Sequence, residues 1–296
     1  MLIEKQFDTG SRKINYAEGP ASGPPLLLIH GWTCSWRTFL PVLPHFVPHY
    51  HVVAMDLPGH GHSDPLPNPA DNLPELAADI EPLIKAKFNE PTAVFGHSLG
   101  GKISLSAVAQ NPALFSALII GDTGLFPPEP DTEPKPPSQD GDFVAKSIEL
   151  AQYCLKYAPT LVEFTQQYER LFGLPADETE RLQKRHWLQS YHRCSPELII
   201  AMFGAIPEGK VPEKKLNQGT VNPGQALPRV TCPILLIQAD PEVGCRLHNS
   251  AIERAKKLNP LVSSVRIEGE GHGLGISNWN TTPLVRAITL FIETSR

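Results

Sequence analysis

Five stretches of this chain are apolar at every position: Leu26-Leu27-Leu28-Ile29, Val52-Val53-Ala54-Met55, Ala93-Val94-Phe95, Ala117-Leu118-Ile119-Ile120 and Ile234-Leu235-Leu236-Ile237. A strand with no polar face suits burial on both sides, so these runs predict the strands of a parallel sheet. Ser264-Val265-Arg266-Ile267 is a less apolar candidate, and Leu2 to Phe7 with Lys13 to Tyr16 read as a hairpin about an Asp8-Thr9-Gly10-Ser11 turn. Between the runs the spacing turns helical. Leu73, Leu76, Ala77, Ile80, Leu83 and Ile84 mark one buried face, with Pro74 in its first turn and Pro82 predicting a kink or early stop. Lys102 to Gln110 and Thr281 to Ile292 also read as helices. Strand and helix in alternation predict right-handed βαβ crossovers with helices on both sheet faces.

The alternation lapses in the middle. Phe126 to Pro137 is too rich in proline for helix or central strand and reads as a linker. From Phe143 to Phe203 the pattern is helical only, with seven aromatics among it from Tyr153 to Tyr191, and a second loose stretch, Pro207 to Pro228, closes the segment. The expected organisation is one sheet-based core in two parts, 1–123 and 228–296, with a helical cap over 124–227.

The chemistry centres on Gly96-His97-Ser98-Leu99-Gly100, between an apolar run and a helix. Glycines two residues either side of a serine suit a sharp strand-to-helix elbow that exposes Oγ, with the helix N–H groups behind it. A serine nucleophile needs a base, a group to orient the base, and donors for the oxyanion. His272, in Gly269-Glu270-Gly271-His272-Gly273 after the last strand-like run, is the candidate base. Asp240, directly after Ile234 to Gln238, is the first choice of acid, and the N–H groups of Trp32 and Leu99 are the candidate oxyanion donors. His30, His97 and Asp56 read as residues that fix loops, and Cys34 as packing.

These blocks resemble the α/β-hydrolase fold superfamily: His30-Gly31-Trp32, Asp56-Leu57-Pro58-Gly59-His60-Gly61-His62-Ser63, Gly96 to Gly101, Asp240 and the glycine-flanked His272. The resemblance covers 1–123 and 228–296 and implies a mostly parallel sheet flanked by helices, with an inserted helical cap. It places the nucleophile, acid, base and oxyanion roles on Ser98, Asp240, His272, Trp32 and Leu99. One departure matters. Gln238-Ala239-Asp240-Pro241 lacks the glycine that many relatives carry before the acid, which keeps Asp122, in Ile120-Gly121-Asp122-Thr123, as a competing acid. A serine rather than an aspartate at 98 disfavours dehalogenase and epoxide hydrolase chemistry. The expected activity is cleavage of a small carboxylic ester; a C–C hydrolase, lactonase or lyase with the same triad, and a non-catalytic small-molecule receptor, are the rivals.

Composition narrows the partners. Lys and Arg total 26 against 31 Asp and Glu, a formal charge of −5, and no basic block interleaves with aromatics, so nucleic acid is not an expected partner. No run approaches the ~18 apolar residues of a membrane span, and the first residues lack the apolar core of a signal peptide. Five cysteines, an odd number without short paired spacing, predict reduced thiols in a cytoplasmic setting rather than a disulfide framework. No metal or organic cofactor is expected. The partner is a small-molecule ester, with monomer and homodimer both open.

Overall fold

The structure is a computed structural model describing residues 2–67, 72–126, 139–203 and 222–295. Eight strands form one sheet: β1 (Ile3–Asp8), β2 (Lys13–Glu18), β3 (Pro25–Ile29), β4 (His51–Met55), β5 (Thr92–His97), β6 (Phe115–Gly121), β7 (Ile234–Ala239) and β8 (Val262–Ile267). Their spatial order is β1-β2-β4-β3-β5-β6-β7-β8. β2 pairs antiparallel with β1 and with β4, and every pairing from β4 to β8 is parallel.

The fully apolar runs are the central strands, and every residue of β3, β5 and β7 is buried. Successive side chains along a strand leave opposite faces, so each run feeds two cores. Leu27, Ile29, Val94, Leu118, Ile120 and Leu236 join one apolar cluster, while Leu26, Leu28, Ala93, Phe95, Ile119 and Ile237 join the other. The first face is covered by helices α2 (Asn72–Ala77), α3 (Ile80–Lys87), α4 (Leu99–Gln110), α9 (Pro223–Ala226) and α10 (Asn249–Leu258). The second is covered by α1 (Leu43–Phe46) and α11 (Thr282–Thr294), the latter through Leu284, Ile288 and Ile292.

The helical face expected from Leu73 to Ile84 is split, but not at Pro82. The break falls at Ala78–Asp79, between α2 and α3. Pro82 then lies in the first turn of α3, where no intrahelical acceptor awaits its missing N–H.

Between β6 and β7 come α5 (Gln139–Tyr157), α6 (Leu161–Phe172), α7 (Glu178–His192) and α8 (Pro196–Phe203). They hold a small core of their own, with Leu150, Phe164, Tyr168, Leu188, Tyr191 and Ile199 buried together. Thr160 and Glu163 close a capping box at the start of α6. The predicted proline-rich linker beyond Phe126, and the loose stretch before Asn222, lie outside the described residues. Ala226 and Leu227, at the end of the span expected as cap, pack in the sheet's own cluster. No helix of the described residues is long and apolar enough to cross a membrane. None of the five cysteines is in a disulfide.

Candidate active site

The elbow after β5 forms because its neighbours leave no room for side chains. Ser98 has φ 55° and ψ −117°, in the left-handed region that costs an L-residue free energy. A Cβ on Gly96 would run into the Gly100 carbonyl and Ser104 Oγ, and one on Gly100 into the carbonyl oxygens of Ile29 and His30. The turn is pinned by Ser98 N–H donating to Gly121 O at 2.8 Å and Thr123 Oγ donating to Ser98 O at 2.9 Å. Leu99 is the first residue of α4, so its N–H has no intrahelical acceptor.

Ser98 Oγ lies 3.0 Å from His272 Nε2, and His272 Nδ1 lies 2.7 Å from Asp122 Oδ2. These partners assign the tautomer: Nδ1–H donates to the carboxylate, and Nε2 accepts from the serine hydroxyl. The order of the strands explains the arrangement. β6 is the immediate neighbour of β5, so the residue just past its end, Asp122, emerges beside the elbow.

Asp240 is not part of this chain of hydrogen bonds. Its Oδ1 accepts from Glu242 N–H at 2.9 Å and its Oδ2 from Gly269 N–H at 2.8 Å, and it is only half-buried. It closes the turn after β7 and ties that turn to the loop bearing His272. The carboxylate on His272 is therefore Asp122, the competing acid of the sequence analysis, and not Asp240, its first choice. β7 lies one strand further from Ser98, and its loop supplies backbone donors to Asp122 instead of a carboxylate to His272.

Those donors make a cradle. Asp122 Oδ1 accepts from the N–H groups of Ala239 at 3.2 Å and Leu247 at 3.1 Å, and Oδ2 accepts from Arg246 N–H at 2.9 Å. Asp122 is wholly buried, with φ 35°. Burial alone would raise its pKa, but the bond to His272 and the two backbone donors at 246 and 247 outweigh it and hold the carboxyl below its ordinary value. The carboxylate therefore stays ionised at neutral pH. No sequence pattern announces this cradle, because its donors are main-chain groups.

Two buried histidines set the surrounding loops. His30 donates from Nδ1 to Gly31 O at 2.7 Å and accepts at Nε2 from Leu57 N–H at 3.0 Å. Gly31 C=O and Trp32 N–H belong to one planar trans peptide. Pinning the oxygen toward His30 therefore turns the Trp32 N–H the opposite way. His97 donates from Nε2 to His272 O at 2.7 Å, and the two rings lie 4.9 Å apart. Burial pushes both His30 and His97 down to about 4, so neither is charged near neutrality.

Asp56 shapes the next loop, as expected. It accepts from Trp36 N–H at 2.6 Å, His62 N–H at 3.0 Å and Asn15 Nδ2 at 2.7 Å. Burial drives Cys34 up to about 11, which leaves it a thiol at neutral pH and fits a packing role.

A serine at a strand-to-helix elbow, hydrogen-bonded to a histidine that is held by a carboxylate at the end of the next strand, completes the pattern. The chain belongs to the alpha/beta hydrolase fold family. The model of that family matches residues 24–277. This alpha/beta hydrolase is 39% identical over 94 residues to a magnesium-chelatase 30 kDa subunit of Rhodobacter capsulatus, which covers 32% of the chain and 33% of that protein. It is 34% identical over 111 residues to a pimeloyl-[acyl-carrier protein] methyl ester esterase of Xylella fastidiosa, 38% of the chain and 41% of the relative. The match thus spans well under half the length of either relative. Among solved structures, a thermophilic esterase from Thermogutta terrifontis superposes with a TM-score of 0.69 at 16% identity, covering 100% of this hydrolase and 99% of the other chain. Among the described residues no group of three or more His, Cys, Asp or Glu is placed to hold a metal ion.

Proposed function

We propose that this alpha/beta hydrolase cleaves a small carboxylic ester through an acyl-enzyme, with Ser98 as nucleophile, His272 as base and Asp122 as the orienting acid. The observation that carries the reading is the continuous path from Ser98 Oγ through His272 to Asp122, with both hydrogen bonds at 3.0 Å or less. His272 Nε2 takes the hydroxyl proton as Oγ attacks the ester carbonyl. The N–H groups of Leu99 and Trp32 receive the developing oxyanion; one such donor is typically worth about 3 kcal/mol in the transition state. The imidazolium then gives its proton to the departing alcohol. A water activated by the same imidazole releases the acid and restores the hydroxyl.

Asp122 keeps Nδ1 protonated, so that Nε2 remains the accepting nitrogen, and stabilises the imidazolium that forms. The helices α5 to α8 act as the cap of this site. α7 is tied to the oxyanion loop by Trp187 Nε1 donating to Thr33 Oγ1 at 3.2 Å and by the Ser190 and Ser35 hydroxyls at 2.7 Å. The ester bond is favoured by the methyl ester esterase among the relatives.

The test is turnover of p-nitrophenyl acetate and butyrate by the wild-type chain and by Ser98→Ala, with fluorophosphonate labelling of residue 98. Turnover and labelling that both vanish in the variant support the proposal. Turnover kept by a folded Ser98→Ala protein refutes Ser98 as nucleophile. Absence of labelling in the wild type points instead to a binding protein.

A further inference from the structure

The loop that carries His272 runs over residues 268–281, from the end of β8 to the start of α11, with neither helix nor strand to stiffen it. Two of its bulky residues sit in the left-handed region, Leu274 at φ 52° and Trp279 at φ 66°. Such a conformation persists only where the surroundings impose it. Leu274 and Ile276 anchor the middle of the loop in the second apolar cluster. His272 and the glycines on either side of it are only half-buried, so packing alone holds them less firmly.

The stiffening comes from Glu270, two residues before His272 and 6% exposed. Its Oε2 accepts from Asn278 Nδ2 at 2.9 Å and its Oε1 from Asn280 Nδ2 at 2.6 Å. Asn280 N–H donates to Asn278 Oδ1 at 3.1 Å, which leaves the Asn278 amide nitrogen for the carboxylate. The carboxyl carbon lies over Gly275, 3.6 Å from where a Cβ would stand. The main chain of Glu270 is tied the other way, its C=O accepting from Asp240 N–H at 2.8 Å. Glu270 thus joins the turn after β7 to the far end of the loop, and His272 lies inside the circuit that its side chain closes.

A carboxylate taken out of water and met by neutral amides costs more than an apolar residue of similar volume. What it offers in return is acceptor capacity at both oxygens, matched here to two donors. Resting on the serine hydrolase reading above, we infer that Glu270 is a positioning residue for His272. By accepting from Asn278 and Asn280 it closes the loop and fixes where the imidazole stands against Ser98 Oγ. It acts through the loop and not on the reacting atoms.

The experiment measures kcat and KM for 4-nitrophenyl acetate in the wild type, Glu270→Gln, Asn280→Asp and the two combined. Rates are taken per Ser98 titrated to completion with a fluorophosphonate. In Glu270→Gln an amide donor faces another donor, and kcat falls about tenfold while KM stays within about twofold. Asn280→Asp sets two carboxylates against each other and falls likewise. In the combined variant the glutamine amide donates to the new aspartate, Asn278 still donates to the glutamine carbonyl, and the formal charge is that of the wild type. Its kcat returns to within about threefold of the wild type, a coupling that independent losses of stability do not produce. Full kcat in Glu270→Gln overturns the inference, even if its thermal midpoint drops. So does a folded combined variant as slow as the two single losses multiplied.

Absence of turnover and of labelling in the wild type counts against the hydrolase reading itself. Glu270 is then judged without substrate, by the low-field proton resonance of His272 Nδ1–H against Asp122 in protein labelled with 15N-histidine. A resonance that shifts or broadens in Glu270→Gln and recovers in the combined variant upholds the positioning role, and one unmoved in Glu270→Gln overturns it.

Discussion

His97, the residue before Ser98, donates from its ring to the main-chain carbonyl of His272 at 2.7 Å. The elbow and the loop bearing His272 are distant in sequence, and this bond fixes one against the other. In His97→Ala, kcat falls by about tenfold or more, because a base misplaced by a fraction of an ångström loses its alignment. His97→Gln, which can still donate, recovers part of it. Steady-state kinetics on an aryl acetate checks this; equal loss in both variants would show that the ring's packing matters and the hydrogen bond does not.

The two aspartates at the strand ends separate cleanly by mutation. Asp122→Asn keeps the shape but allows the wrong tautomer of His272, and kcat drops roughly a thousandfold to ten-thousandfold. Asp240→Asn leaves kcat within a few-fold, since the Asp240 carboxylate accepts from the backbone N–H groups of residues 242 and 269 and stands outside the Ser98–His272–Asp122 path. Side-by-side turnover decides it, and a larger loss at 240 than at 122 would reverse the assignment.

How much of this was legible beforehand follows from what each signal encodes. The sheet was readable because strands buried on both faces are apolar throughout, and Ser98 because its glycines answer a steric need that shows in the sequence. His272 stood out through its own flanking glycines. The choice between Asp122 and Asp240 was not readable. Each comes within three residues of the end of an apolar run, and only the order of β5, β6 and β7 in space says which lies beside the elbow. Pro82 misled for a related reason: a proline marks a helix boundary but not whether the chain starts or stops there.

Three buried histidines make stability fall on the acid side. His30 and His97 are pushed down to about 4 and His60 to about 3, against an ordinary 6.5. Between those values the unfolded chain binds protons that the folded chain refuses, so unfolding free energy rises with pH from about 4 to 6.5 and falls as pH drops through that window. Each contributes on the order of 1–2 kcal/mol of loss by pH 5. Asp122 acts lower still: with its carboxyl held down, its contribution is full above the ordinary 3.8 and lost only below it. Urea unfolding at pH 7 and pH 5, with NMR titration of the imidazoles, tests the account. A His60 ring that titrates near 6.5 would contradict it.

Gly100 and Gly173 provide a matched pair of glycines. A methyl on Gly100 meets the carbonyl oxygens of Ile29 and His30, whereas Gly173, at φ 96°, has nothing within 4 Å of its would-be Cβ. Gly173→Ala costs about 1 kcal/mol of backbone strain. Gly100→Ala costs more, about 3 kcal/mol, because the strand beneath must shift. Thermal unfolding of both gives the comparison, and equal midpoints would mean that α4 slides freely over β3.

The cradle about Asp122 is built by residues 239, 246 and 247, which reach the ribosome's exit only after the whole block of inserted helices. A nascent chain can therefore form the elbow and expose its serine long before anything steadies the carboxylate or brings up the imidazole. On the proposed chemistry, the growing polypeptide is inert toward the esters around it, and cutting power arrives only once the loop bearing His272 has been made.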